Sequence, residues 1–355
     1  MADAGFLMND MWTVLRALEN RYLDCHRLFL LHIDLTWRCP LTCPHCYLVG
    51  SHADELSKEA WIKVLDQAKS LAIAQVVLSG GEPMIRRDFN DILQAARSRG
   101  FAVLVKTTGI LLTEQTVDLF ADLGWIMVDI SLHSIEPHVH DAFTGLPGSW
   151  NRAAAAIESL RGRNVPVRVT RSLVEGIPED GGMLLRWAQE RGCRFRESST
   201  ILRRRDGQAA GCTELDEETR MASIHSHFTD TAPMEPRPVK PLSAPCSAGH
   251  TRLYVTPKGD ISPCVAWPKV LGNIADPGGL ASFVESPELA SVRAIKNADR
   301  DECMVCEHLV TCDFCPGQSE IFSGRPTAPY TTACENARMW TRVLGQLRSR
   351  NVGNG

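Results

Sequence analysis

The chain has 355 residues, 44% of them hydrophobic, which is ample for a sizeable core and excludes a disordered chain. Its length sets an expectation of about two domains, or of one barrel with an appendage. A net charge of −4 provides no global basic field and sets nucleic acid aside as the main partner. No run approaches the roughly 18 apolar residues of a membrane helix. The N-terminus carries acidic residues and no compact apolar segment, so it does not read as a signal peptide. The expected location is cytoplasmic, where thiols stay reduced, and thirteen cysteines then require a reason other than disulfides. Metal is that reason.

Residues 1–28 carry Leu15, Leu18 and Tyr22 at helical spacing, with Met11 and Trp12 nearby. They predict an amphipathic leader helix packed on the main domain, too short to be an independent peptide-binding domain. Over 29–229 strand and helix patterns alternate. Strands are predicted at 29–36, 75–79, 101–107, 125–132, 165–172 and 194–198, with helices near 57–70, 88–99, 113–122, 149–161, 179–190 and 215–228. Ser57, Asp88 and Thr113 mark helix starts, and Gly100, Gly124 and Gly192 follow helix ends. Six successive βα units predict an α/β fold with a parallel sheet, a partial (β/α)6 barrel rather than an eightfold one.

Two strands show which way the barrel faces. Ile126, Val128, Ile130 and Leu132 alternate with Asp129, Ser131 and His133, and Leu31, Ile33 and Leu35 alternate with His32, Asp34 and Thr36. The aliphatic positions pack beneath helices and the polar ones point inward. An interior this polar predicts a ligand cavity, with its active site at the C-terminal ends of the strands. Residues 230–245 hold five prolines and read as a semi-rigid linker. A small cysteine-rich α+β domain over 246–340 and a tail over 341–355 complete the predicted organisation. The run Arg203-Arg204-Arg205 reads as a solvated face.

Cys39, Cys43 and Cys46 stand at spacing C-x3-C-x2-C where the first strand ends. A four-iron cluster takes four thiolates, so three leave one iron open to a small molecule. Zinc is the plain alternative, but it pairs its ligands, and no matching pair follows within the next hundred residues. After the second strand comes Ser79-Gly80-Gly81-Glu82-Pro83. The glycine pair permits close backbone approach to a ligand, and the Glu82 carboxylate suits an ammonium group. An ordinary strand-to-helix turn is the rival reading. A third constellation comprises Cys246, Gly259-x4-Cys264, Cys303-x2-Cys306-x5-Cys312-x2-Cys315 and Cys334. Only five residues separate its two C-x2-C pairs, against roughly 12–20 in zinc ribbons and fingers. Seven thiolates also exceed one tetrahedral zinc and suit two iron–sulfur clusters, one with four ligands and one with three. Cys25 and Cys193 read as buried small hydrophobes. Cys212 lies in a Gly-rich loop with no matching spacing.

The C-x3-C-x2-C loop followed by 80–83 resembles the signature of the radical S-adenosylmethionine (SAM) enzymes, and the layout of 246–334 resembles their SPASM extension. The resemblance implies that Cys39, Cys43 and Cys46 hold a SAM-binding 4Fe-4S cluster and that Gly80, Gly81, Glu82 and Pro83 hold the amino group of SAM. It places His45 where a backbone contact to adenine is made, and Ser131 at a position used on SAM. Thr107-Thr108-Gly109 stands where relatives carry Thr-Asn-Gly, and Thr144 where they often carry arginine. Cys246, Cys264 and Cys315 would hold a first auxiliary 4Fe-4S cluster, and Cys303, Cys306, Cys312 and Cys334 a second. The gap from Cys312 to Cys315 is one residue shorter than the family pattern, which bears on Cys315.

The activity implied is reductive cleavage of SAM to a 5′-deoxyadenosyl radical that abstracts a substrate hydrogen. The chain looks most similar to peptide- and protein-modifying maturases, in 201–207 and in Cys315-Pro316-Gly317. A ribosomally made peptide, a separate peptide-recognition protein and an electron donor such as flavodoxin or ferredoxin are the partners implied. Val265 stands where sulfatase-maturing relatives carry an acidic residue, which argues against that activity. A dehydrogenase or tailoring enzyme for a small molecule, redox-cofactor or tetrapyrrole precursor shares these motifs. A non-enzymatic iron–sulfur or zinc protein is the outer alternative.

Overall fold

Leu31, Ile33 and Leu35 on one side of the first strand, and His32, Asp34 and Thr36 on the other, set the layering of the molecule. The computed structural model describes residues 11–48, 55–198, 201–205, 208–228 and 238–352, and of 224–228 and 347–352 the backbone alone. The alternating segments form β1 (Leu30–Thr36), β2 (Gln75–Gly80), β3 (Ala102–Thr107), β4 (Ile126–Ser131), β5 (Val167–Ser172) and β6 (Arg194–Ser198), each parallel to the next. Their aliphatic faces pack under α2 (Lys58–Ser70), α3 (Phe89–Ser98), α4 (Glu114–Leu123), α6 (Ser149–Gly162) and α7 (Met183–Glu190). This is the expected partial barrel. The predicted helix near 215–228 is α8 (Glu217–Phe228).

Local chemistry accounts for the differences at element ends. Ser57 and Thr113 cap α2 and α4, accepting from the backbone N–H of Ala60 and Thr116, each at 3.2 Å. Asp88 marks a start but does not cap it; its carboxylate is bound by Arg86 at 2.7 and 2.9 Å. β4 begins one residue later than predicted because Trp125 follows Gly124 with positive φ, 52° and 58°. β5 begins beyond Pro166, which has no N–H for a ladder. A further helix, α5 (Pro137–Thr144), lies in the fourth crossover, where none was predicted.

The leader helix is α1 (Met11–Asp24), and residues 1–10 lie outside the described residues. Its Leu15 joins Phe29, Val77, Ala102, Leu104 and Met127, with Met11, Trp12, Leu18 and Tyr22 at the margin. These are the inward positions nearest the strand starts, so α1 closes the N-terminal mouth of the barrel. Glu19 pairs with Arg252, and the Arg168 guanidinium lies over the Trp12 ring at 4.3 Å.

Strands of the C-terminal region join the barrel sheet rather than forming a separate one. β7 (Arg252–Val255) pairs in parallel with β1, and β8 (Asp260–Ser262) and β9 (Gly272–Asn273) follow antiparallel. One nine-stranded sheet results, in the order β6-β5-β4-β3-β2-β1-β7-β8-β9. An open barrel leaves β1 with an unpaired edge, and β7 satisfies it. Of the predicted linker, 230–237 lie outside the described residues. The remainder is tied to the cysteine-rich region, since Asn297 and Ala298 donate backbone N–H to Ser243 and Pro241, each at 2.9 Å. Short helices α9 (Gly279–Phe283), α10 (Pro287–Ala294), α11 (Asp301–Met304) and α12 (Pro316–Ser323) lead to α13 (Thr331–Val352). Residues 341–352 of the predicted tail are therefore the second half of a long helix, whose first half is held where Arg220 of α8 donates to Asn336 at 2.5 Å; 353–355 lie outside the described residues. No described helix is long and apolar enough to cross a membrane.

Leu15→Ala should lower the unfolding free energy by about 2–4 kcal/mol, since it opens a cavity in a floor that rigid strands cannot close. Urea denaturation measures it; a midpoint equal to wild type would show that α1 does not seal the barrel.

Candidate active site

At the C-terminal end of β1 the chain turns into the cysteine loop. Thr42 N–H donates to the Thr144 carbonyl at 2.9 Å, so the end of α5 pins the loop, and Cys46 N–H donates to Cys43 O at 3.1 Å. Thr144 itself is buried, its hydroxyl bonded within its helix and to Ser149 at 2.7 Å. The position where relatives carry arginine thus contributes a backbone carbonyl.

Cys39, Cys43 and Cys46 lie close enough to act on one another. Burial pushes Cys43 up to about 12, and the Cys46 and Cys39 thiols add to the rise. Burial likewise raises Cys39 to about 11, with Glu82 and Cys46 contributing. Cys46 is raised first by burial and then by Asp34, against its backbone hydrogen bond to Leu48 and the charge of Arg204. Three thiols that disfavour their charged forms this strongly suit a bound cation or cationic cluster, which reverses the penalty.

The 80–83 turn sits directly against this loop. Gly80 has φ +137°, and a Cβ there would meet the Thr36 carbonyl oxygen at 2.0 Å; one on Gly81 would meet Arg38 O at 2.5 Å. Gly81 N–H and Glu82 N–H donate to Thr36 O and Arg38 O, each at 2.9 Å. The room the glycines leave is thus filled by the backbone of 36–38. Glu82 is wholly buried and accepts from Thr107 Oγ1 at 2.9 Å, Thr108 N at 2.8 Å, Thr108 Oγ1 at 2.6 Å and Met84 N at 3.2 Å. Burial raises its pKa and those hydrogen bonds lower it. The carboxylate clamps the ends of β2 and β3 together, which gives Thr107-Thr108 a place in the site. Pro83, also buried, opens a short 3-10 turn, and Ser131 is the last residue of β4.

A ring cluster flanks the loop. His45 stacks on Phe143 with centroids 5.1 Å apart and meets His133 edge-on at 5.1 Å. One side-chain atom each from Cys43, His45 and His133 lie within 4.8 Å of one another. His133 Nδ1 accepts from Ser172 N at 3.3 Å, and His140 Nδ1 accepts from His133 N at 3.1 Å, which leaves each ring's proton on Nε2. Burial pushes His45 and His140 down to about 4 and His133 well below its ordinary value, so all three stay neutral. The inward position of His133 was legible from strand alternation. His140 and Phe143 were not, because they arrive on the unpredicted α5.

The loop over 201–213 covers the same cysteines. Arg205 N–H donates to Tyr47 O at 2.9 Å and Gly211 N–H to Pro44 O at 2.8 Å; 206–207 lie outside the described residues. Arg203–Arg205 were expected to be solvated. Instead Arg205 lies over the Tyr254 ring at 4.6 Å, next to Asp34, whereas Arg203 is exposed as expected and lies over the exposed Phe322 ring at 4.8 Å. The aromatic face of β7 draws Arg205 in, and no sequence pattern in 201–205 marks that. Cys212 shares an apolar cluster with Phe143 and Cys43. Cys193 is buried as expected, whereas Cys25 is exposed in the turn after α1.

The seven later cysteines fall into two groups. Burial raises Cys264 to about 12, with the Cys315 and Cys246 thiols adding to it, and Cys246 feels Cys315 in turn. Cys315 receives backbone N–H bonds from Gly317 and Gln318 at the start of α12. A Cβ on Gly317 would come within 2.5 Å of Trp267, so that glycine lets the helix approach the Cys264 turn. The shortened gap therefore still leaves Cys315 beside Cys246 and Cys264. Cys303, Cys306 and Cys334 all act on Cys312, which burial raises to about 11.

Gly80→Ala combines a disfavoured φ with a contact no side chain makes, and should lower the unfolding free energy by about 2–4 kcal/mol. An unchanged urea midpoint would show that the turn relaxes without cost.

Comparison with known proteins agrees with this site. The radical SAM superfamily model matches residues 33–187 and the SPASM iron–sulfur cluster-binding domain matches 246–312. The chain is 26% identical over 256 residues to a PqqA peptide cyclase of Xanthomonas campestris pv. campestris (strain B100), and the match spans 66% of each protein, just under two thirds of that cyclase. A PqqA peptide cyclase of Xanthomonas axonopodis pv. citri (strain 306) matches at the same identity over 66% of this chain and 67% of its own. In fold the chain resembles Streptococcus suis SuiB bound to the precursor peptide SuiA, with TM-score 0.70, 18% identity and coverage of 90% and 79%. It also resembles anSMEcpe with bound AdoMet and the Cp18Cys peptide, with TM-score 0.68, 14% identity and coverage of 92% and 99%. Two family models that between them span more than half of the chain, on cysteines gathered at the barrel mouth and beyond it, place this protein in the radical SAM superfamily, among its members with a SPASM extension.

Proposed function

We propose that this chain is a radical SAM maturase that modifies a ribosomally made peptide, by crosslinking or oxidising a side chain. The observation that carries it is the sorting of ten cysteines into three groups: Cys39, Cys43 and Cys46; Cys246, Cys264 and Cys315; and Cys303, Cys306, Cys312 and Cys334. Peptide action is supported by relatives named as peptide cyclases and by fold neighbours bound to peptides.

Three 4Fe-4S clusters fit these sets, the first with an iron left open to SAM and the two auxiliary ones in the C-terminal region. When bound, the first cluster and SAM supply an electron transfer that cleaves the sulfonium to a 5′-deoxyadenosyl radical, which takes a hydrogen from the substrate. The chain's own residues prepare the place. Glu82 and its four donors hold the 80–83 turn at the mouth beside the cysteine loop, where it would receive the amino group of SAM. The backbone at His45 and the Ser131 hydroxyl would line the same cavity. The α1 floor and the 201–213 loop keep water from the lumen. Cys246, Cys264 and Cys315 supply only three thiolates, so the first auxiliary cluster is read as having an open iron or a non-cysteine ligand. A separate peptide-recognition protein and a flavodoxin or ferredoxin complete the working system, in the cytoplasm where thiols stay reduced.

Anaerobic reconstitution should yield about 12 irons per chain from three cubanes. The triple replacement of Cys39, Cys43 and Cys46 by Ala should remove about 4 of them and abolish 5′-deoxyadenosine formation from SAM plus reductant. Bound zinc, or iron without SAM cleavage, would overturn the enzyme reading. Deuterium transfer into 5′-deoxyadenosine from a labelled small molecule but from no peptide would replace the peptide by a small-molecule substrate.

A further inference from the structure

Below the cysteine loop the barrel lumen holds more positive charge than its own carboxylates pair. Lys106 on β3 faces inward, since its neighbours Val103 and Val105 pack under the helices. Asp129 on β4 stands beside it in register, but its carboxylate is taken by Arg168 of β5 at 2.5 Å. Arg196 on β6 lies within electrostatic reach of Lys106, Arg168, Asp129, Arg252 and Asp313. Arg252 is paired with Glu19. Among the described residues no carboxylate reaches ion-pair distance of Lys106 or Arg196. Burial pushes the Lys106 ammonium below its ordinary value, and Arg196 and Arg168 push it the same way against Asp129. An unpaired cation on a half-buried side chain such as Lys106 costs stability, a cost that a bound anion reverses, and Arg196 is exposed and open to the same anion.

The location narrows what that anion is. Lys106 also acts on His32 of β1, one layer below Thr107 and the Glu82 clamp, and so lies beneath the turn that faces SAM. On the open side Arg252 and Asp313 act on both Arg196 and Cys246. Asp34 and Arg204 act on Cys46. The unpaired cations thus stand between the first thiol group and the second, where a substrate would lie.

Resting on the radical SAM reading, we propose that Lys106 and Arg196 form a carboxylate-binding site that holds an acidic group of the substrate in the barrel lumen. An Asp or Glu side chain and a C-terminal carboxylate share this chemistry, and so does the carboxylate of SAM. The geometry favours the substrate.

Anaerobic calorimetry on the reconstituted, SAM-loaded enzyme tests it, with N-acetyl-glutamate N-methylamide and its glutamine analogue as side-chain probes and N-acetyl-alanine as the C-terminal one. One of the two acids should bind at least tenfold more tightly than the neutral amide, and which one names the source. Lys106→Met and Arg196→Gln should each bring acid and amide within twofold, and Lys106→Arg should keep most of the preference. Without ligand, Lys106→Met should raise the melting temperature, because it removes an uncompensated charge. Equal binding of acids and amide by an enzyme that binds SAM tightly would overturn this site and leave the radical SAM reading standing. A tenfold loss of SAM affinity in both variants would overturn it by assigning the two cations to the cofactor's carboxylate.

Discussion

The site depends on a buried carboxylate. Glu82 gathers the backbone N–H groups of Met84 and Thr108 and the hydroxyls of Thr107 and Thr108, while its own N–H and that of Gly81 grip the carbonyls of Arg38 and Thr36. In this way the ends of three adjacent strands are locked at one height. A carboxylate with no solvent around it is tolerated only where hydrogen bonds replace hydration, and here its donors come from two segments, the 82–84 turn and 107–108, that must both be correctly placed. The clamp positions the cysteine loop, and everything at the barrel mouth takes its position from that loop.

The same logic of charge in a dry place runs through the rest of the molecule. Cys39, Cys43, Cys46, Cys246, Cys264, Cys303, Cys312 and Cys315 are thiols whose ionisation burial opposes, a penalty that bound metal would reverse. The histidines beside the first group are held neutral by burial, and His133 and His140 also by the hydrogen bonds their Nδ1 atoms accept. Arg171 is enclosed and its charge is balanced by Asp180 at 2.6 Å and Glu197 at 3.0 Å. Lys106 and Arg196 differ in having no such balance.

The cysteine-rich region is not an appendage in the mechanical sense. Because β7 continues the barrel sheet, Cys246 ahead of β7 and Cys264 just after β8 flank strands that are joined by hydrogen bonds to β1, the strand that delivers Cys39. The separation between first and second thiol groups is thereby set by a sheet rather than by a linker. That rigidity suits chemistry in which a substrate must lie between two redox centres.

By itself the sequence determined the six strands, a helix in each of the five crossovers between them, the inward polar faces and the spacing of the cysteines. Each of these rests on local periodicity or on spacing along the chain, and both survive folding unchanged. Tertiary structure alone decided the rest. α1 became the barrel floor because only the assembled strands present an apolar ring at that end. β7 joined the sheet because an open barrel leaves an edge to be paired. Arg205 turned inward because Tyr254, far along the chain, offers it an aromatic face. The glycines at 80 and 81 make room for backbone, and Glu82 is a clamp, because Thr36, Arg38 and Thr108 converge on them from other strands. Partners distant in sequence leave no period to read, and so the residues that hold the site were the least visible part of it.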